Sequence, residues 1–245
     1  MRFAMGETHR MARLGRIFLP EQPLHVIQRG NDRRPIFFAP DDYARYRDWL
    51  HLASVVNGCA IHAYVLMPNH VHLLVTPRDE GSLPKTMQSL GRRYVRHVNW
   101  TYGRSGTMWE GRYRAALIDT ETCFLPCSRY IEMNPVRTNI AKHPREYQWS
   151  SYRANAYGEH DMLVTPHPAY QNLGTSEQVR QQAYQTLCDA KLDEEFIVAL
   201  RAATNGGWAL GRDKFKHDIA QALGRRVGPL PKGRPPRQPL GQQVA

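Results

Sequence analysis

The sequence predicts an α+β fold in which helices pack on one face of an antiparallel sheet. β-prone runs at 24–28, 59–67, 70–76 and 112–118 alternate with helical patterns at 40–57, 83–102 and 120–134. Only Pro68 and Asn69 separate the two central runs, which suits an antiparallel hairpin and leaves no room for a parallel crossover. The order strand, helix, strand, strand, helix, strand, helix matches a layered α+β unit.

Each element has a local reason. Residues 1–10 show no clear period and are expected to be a disordered extension. The run 24–28 (LHVIQ) is followed by the turn-rich RGNDRR, and 36–38 is a second short strand candidate. Pro40, Asp41 and Asp42 start a helix whose apolar positions Tyr43, Tyr46, Leu50, Ala53 and Val56 recur every three or four residues. Asn57 and Gly58 end it. Gly103 ends the next helix. Pro135 stops the third, because a residue before proline is pushed out of the α region.

The texture changes near residue 157. Residues 158–224 read as a helical region, with Val179, Tyr184, Leu187, Phe196, Ile197 and Leu200 as its apolar stripe. Residues 225–245 contain five basic residues, five prolines and no acid. Such a tail buries too little apolar area to offset its ordering entropy and is expected to be disordered when free. The expected division is therefore 1–10, 11–157, 158–224 and 225–245.

Composition narrows the function. Lysine and arginine total 33 against 22 acids, a formal charge of +11 and a pI near 9.7. That balance favours a polyanionic partner, most often nucleic acid. No run approaches 18 apolar residues, so no spanning helix is expected. The first residues lack an apolar core with a small-residue cleavage site, so secretion is not expected. Cys59, Cys123, Cys127 and Cys188 are too scattered for a disulfide framework, and the expectation is four reduced thiols in a cytosolic protein.

The sharpest chemical feature is His70-Val71-His72. Alternate strand residues share a face, so both imidazoles project together while Val71 points into a core. Two imidazoles at this spacing can share one divalent ion if a third ligand joins them. Two surface histidines on an exposed strand face would carry the same spacing. Tyr130 and Asn134, four residues apart in RYIEMNP, share a helix face. A half-buried helix followed by a proline stop would also explain them.

In combination, PNHVH at 68–72, YIEMNPVR at 130–137 and RGNDRRPIF at 29–37 resemble the REP-associated tyrosine transposases. These are relatives of the single-tyrosine insertion-sequence transposases in the HUH nuclease superfamily. The resemblance spans about residues 11–155. It implies a ferredoxin-like sheet, His70 and His72 as metal ligands, Tyr130 as nucleophile and Asn134 at the position of a polar third ligand. Pro126, inside the first turns of the tyrosine helix, departs from the family's texture and bears on where that helix begins.

The implied activity is cleavage and rejoining of single-stranded hairpin DNA through a 5′-phosphotyrosine, with Mg²⁺ or Mn²⁺ as cofactor. A phenol ionises near pH 10 and attacks at neutral pH only with help, which a cation at the scissile phosphate supplies. Imidazole pairs bind softer metals than Mg²⁺ more tightly, so the metal is open. A non-catalytic nucleic-acid-binding protein and an HUH replication initiator are the alternatives. The lone tyrosine of YIEMN speaks against the two-tyrosine initiators. The expected setting is the bacterial cytoplasm and nucleoid, as a monomer or homodimer.

Three basic groups are candidates for holding DNA. Arg29, Arg33 and Arg34 flank the first strand. Residues 85–114 carry seven cations, among them Arg92, Arg93, Arg96, Arg112 and Arg114, against the single acid Glu110. Tyr94, Trp100, Tyr102, Trp109 and Tyr113 interleave with them as candidate stacking platforms. Lys232, Arg234 and Arg237 lie in KGRPPR, which resembles an AT-hook core suited to a narrow minor groove. A generic basic tail would read the same way.

Overall fold

The computed structural model describes residues 16–229. Five strands form one sheet: β1 (Leu24–Arg29), β2 (Cys59–Met67), β3 (His70–Pro77), β4 (Arg114–Ile118) and β5 (Ala209–Leu210). The helices are α1 (Pro40–Asn57), α2 (Ser82–Thr101), α3 (Phe124–Glu132), α4 (Asn134–Arg137), α5 (Tyr152–Tyr157), α6 (Pro168–Gln171), α7 (Glu177–Asp189), α8 (Glu194–Gly206) and α9 (Asp213–Leu223). The strand order is β2-β3-β1-β4-β5, and the α+β class is as expected.

The arrangement differs from the expectation in two respects. The first four strands pair antiparallel, but β5 joins β4 in parallel. Helices also cover both faces of the sheet rather than one. On one face α1 and α2 pack over Val26, Tyr64, Leu66, Val71 and Leu73. On the other, α3 and α8 pack over Val65, Met67, Leu74, Ala116 and Ile118. The physical reason is visible in β2, CAIHAYVLM, which is nearly continuously apolar. A strand that alternates has one wet face, whereas a continuous apolar run needs cover on both. The expected strand at 36–38 does not form. Ile36 and Phe37 instead anchor an irregular segment whose amides bond to Pro68 O.

The tyrosine helix begins at Phe124, not at 120. The Asp119 carboxylate accepts from the Glu121 amide and the Thr122 hydroxyl, holding residues 120–123 as a turn. Pro126 then falls in the first helical turn, where amides have no intrahelical acceptor and a missing N–H costs little. At the far end, Met133 joins α3 to α4, and Pro135 takes the second position of α4.

Residues beyond 157 contribute to the same layers. α8 lies on the sheet, β5 extends it, and Arg212 ties that edge to β4 through Asp119 at 2.9 Å. Glu132, fully buried on α3, makes the deepest connection. Its carboxylate accepts from the Ser151 hydroxyl, from Asn155 Nδ2 at 2.7 Å and from the Tyr184 hydroxyl at 2.6 Å. One side chain thus links α3 to α5 and α7.

Burial pushes the Glu132 carboxyl up to about 7, against the opposing pull of its three donors. An acid with a raised folded pKa holds its proton more tightly when folded. Its contribution is complete below about 4.5 and is lost as pH rises to about 7. Glu132→Gln lacks this loss. Its stability relative to wild type should therefore improve by up to about 3 kcal/mol between pH 4.5 and 7, read from urea melts. A pH-independent difference would contradict the assignment.

Candidate active site

Antiparallel pairing places Ile27 opposite His72 and Arg29 opposite His70. Paired residues share a face, so His25, Arg29, His70 and His72 all project towards the side covered by α3 and α8. Val71 points to the α1–α2 side, as the alternation requires. The two candidate ligand rings stand edge to face with centroids 4.9 Å apart.

Tyr130, 4% exposed, comes down from α3 onto this cluster. Its ring meets His72 at 5.6 Å and His25 at 5.8 Å between centroids, both edge to face. The Arg137 guanidinium lies 4.8 Å from the Tyr130 ring centroid, and Arg201 Nε donates to the Tyr130 hydroxyl at 3.4 Å. The structure therefore brings the phenol and the imidazole pair together, as expected. Asn134 follows one turn later and is 5% exposed.

The donor set suits a divalent cation. Burial pushes His70 down to about 4, with the Arg29 charge adding to the effect. Burial likewise holds His72 well below the ordinary histidine value, helped by the neighbouring His25, His70, Arg29 and Arg137. Both rings are neutral at pH 7, the state that ligates metal. Each has Nδ1 occupied by a hydrogen bond, His70 to Asn69 Oδ1 at 2.6 Å and His72 to His25 Nε2 at 2.8 Å. Nε2 is the nitrogen of each that would be left to face a cation. No group of three His, Cys, Asp or Glu side chains suited to a metal exists among the described residues.

The expected DNA contacts divide by location. Arg29 is half-buried beside the histidines, and Arg33 and Arg34 are exposed in the turn after β1. That turn is tied to the site, because Asn69 Nδ2 donates to Arg33 O at 2.9 Å. Arg92, Arg93 and Arg96 are exposed on α2, which packs on the opposite face of the sheet from Tyr130. Arg112 is exposed, and Arg114 pairs with Glu110 and bonds Asn205. Lys232, Arg234 and Arg237 lie outside the described residues. Most of the expected stacking aromatics are corrected: Tyr94, Trp109 and Tyr113 are buried in the α1–α2 core. Trp100 is 85% exposed, and Tyr102 is partly exposed with its hydroxyl on Asp42.

Sequence reasoning missed His25, Arg137 and Arg201. Arg137 belongs to YIEMNPVR and sits seven residues after Tyr130, a helix-face spacing that was available. His25 and Arg201 carry no local signal, since only strand register and the docking of α8 bring them to the site.

Arg29→Gln should move the His70 titration upward from about 4, while burial keeps it below the ordinary histidine value. Histidine ring resonances followed by NMR against pH check this. An unchanged His70 would place the Arg29 charge elsewhere.

Residues 20–134 match the family model of IS200-like transposases. Among solved structures, the chain is similar to a REP-associated tyrosine transposase bound to a REP hairpin, with 17% identity over 65% of this chain and 96% of that one and a TM-score of 0.51. A structure described as a candidate transposase from Deinococcus radiodurans R1 also matches, at 17% identity over 56% of this chain and 98% of that one. Its TM-score of 0.35 is too low to carry an argument. No curated protein sequence matches the chain. Over residues 20–134 the chain is thus similar to the IS200-like transposases.

Proposed function

We propose that this protein is a single-tyrosine DNA strand transferase that cleaves and rejoins single-stranded hairpin DNA, using Tyr130 as nucleophile. The observation that carries the reading is the packing of the Tyr130 ring on His72, with both imidazoles neutral and each presenting Nε2. The REP-hairpin-bound structure to which the chain is similar supports a hairpin substrate.

A divalent cation, Mg²⁺ or Mn²⁺, held by His70, His72 and Asn134 would polarise the scissile phosphate and offset transition-state charge. The chain's own groups do the rest. Arg137 and Arg201 lie beside the phenol, where they meet the phosphate that Tyr130 attacks and neutralise part of its charge. The phenol oxygen forms a bond to phosphorus as the bond to the 3′ oxygen breaks. The phenol loses its proton and the departing 3′ oxygen gains one. The 5′ end stays on the enzyme as a phosphotyrosine, so the reverse step can rejoin a strand without an added energy source. Burial of Tyr130 under α8 keeps water from competing at phosphorus.

Arg29, Arg33 and Arg34 form a basic edge next to the site, suited to DNA flanking the cleaved bond. Arg92, Arg93, Arg96, Arg112 and Arg114 provide a more distant basic surface, and Lys232, Arg234 and Arg237 an additional duplex contact. A cytoplasmic, nucleoid-associated setting and reduced cysteines remain part of this reading, whereas the expected boundary at residue 157 crosses one continuous core. All four cysteines are buried.

An end-labelled hairpin oligonucleotide mixed with protein and Mn²⁺ or Mg²⁺ should give an SDS-stable adduct. Tyr130→Phe should abolish it, with DNA affinity changed less than about threefold, since one weak hydrogen bond is removed. His70→Ala and His72→Ala should each abolish cleavage. Normal cleavage by Tyr130→Phe would show that another residue is the nucleophile. A separate expectation concerns the tail. Val227 is buried, and its carbonyl accepts from the Ala209 amide, so a truncation that spares the fold removes 230–245. It should weaken duplex binding and flatten its salt dependence in proportion to the lost cations. Identical salt titrations would remove the tail from the binding surface.

A further inference from the structure

The buried histidine of β1 has a role that the cleavage chemistry does not itself require. His25 is fully buried, lies nearly coplanar with His72, at 10° between ring planes and 5.0 Å between centroids, and bonds at both nitrogens. Its Nε2 is 2.8 Å from His72 Nδ1, and its Nδ1 is 2.7 Å from Thr204 Oγ1 on α8.

The direction of these bonds follows from one proton. The Thr204 hydroxyl donates to Leu200 O, one turn earlier, at 2.8 Å. A hydroxyl has a single proton, so towards His25 it can only accept. His25 therefore carries its proton on Nδ1 and leaves Nε2 bare. The bare Nε2 accepts the proton of His72 Nδ1. His72 then has no proton on Nε2, the atom that must face a cation. His70 reaches the same state by another route. Asn69 Nδ2 donates to Arg33 O, so Asn69 Oδ1 accepts from His70 Nδ1–H.

We infer that Thr204 and His25 are positioning residues: a relay from the Leu200 carbonyl through Thr204 and His25 locks His72 as the Nδ1–H tautomer and thereby prepares its Nε2 to ligate metal. Outer hydrogen bonds of this kind fix ring orientation and ligand basicity in metal sites. The relay runs from α8 across β1 to β3. It makes a helix outside the family-matched residues 20–134 part of the site's chemistry. The inference rests on the metal reading above, but its first consequence concerns the metal-free protein.

In Thr204→Val the His25 Nδ1–H loses its acceptor in a buried site. The alternative His25 tautomer, protonated at Nε2, then donates to His72 Nδ1 and moves the His72 proton onto the ligating atom. Thr204→Ser keeps the hydroxyl. Long-range ¹H–¹⁵N NMR of the metal-free protein reads each ring's tautomer, and calorimetric titration with Mn²⁺ reads affinity. Wild type and Thr204→Ser should show His72 protonated at Nδ1. Thr204→Val should shift His72 towards Nε2 protonation and weaken Mn²⁺ binding by about 10–100-fold. A wild-type His72 protonated at Nε2 overturns the relay, and this holds even if Thr204→Val does not fold. Equal Mn²⁺ affinity and equal tautomers in Thr204→Val also overturn it. Wild type with the Nδ1–H tautomer but no Mn²⁺ uptake supports the relay and overturns the metal reading on which it was built.

Discussion

Antiparallel pairing of β1 with β3, with Ile27 opposite His72 and Arg29 opposite His70, decides which side chains meet. A slip of one residue would turn His25 and Arg29 to the α1–α2 side. Burial on both faces enforces the register, because any slip would also expose Val26, Leu73 and Leu74 to the wrong neighbours. The imidazole cluster is thus held by the same apolar packing that holds the fold. Two polar rings inside a hydrophobic layer are tolerable only because each nitrogen that faces protein has a hydrogen-bond partner.

The tyrosine reaches this cluster from a helix anchored on its far side. Tyr130 faces the histidines, while Glu132, two residues on, faces α5 and α7 and takes three hydrogen bonds. Residues two apart on a helix point in very different directions, so one short helix both carries Tyr130 to the histidines and anchors itself on its far side. α8 closes the arrangement. It brings Thr204 to His25 and Arg201 to the Tyr130 hydroxyl, and its apolar residues Ile197 and Leu200 seal the layer. The later part of the chain therefore completes the site that the earlier part begins.

Much of this was legible in the residues. The hairpin around Pro68-Asn69 and the shared face of His70 and His72 rest on local spacing, which a sequence states directly. The helix start at Phe124 was not legible, because the turn before it depends on the Asp119 side chain. Helix cover on the second face was hinted at by the unbroken apolar run of β2. The identity of the covering helices was not, since α8 is distant in the chain. The basic stretch at 85–114 shows the limit of composition. Its arginines are exposed as expected, yet Tyr94 turns inward, because the amphipathic period of α2 that exposes one set of side chains buries the other, and Trp109 and Tyr113, in the segment between α2 and β4, join the same core.

The central claim is that His70 and His72 hold one divalent cation beneath the Tyr130 phenol. Anomalous diffraction at the manganese edge, from crystals of the full chain soaked in Mn²⁺, tests it most directly. The account predicts one strong peak within coordination distance of Nε2 of both histidines, on the side facing α3. Manganese density elsewhere, with none between these two nitrogens, would contradict it.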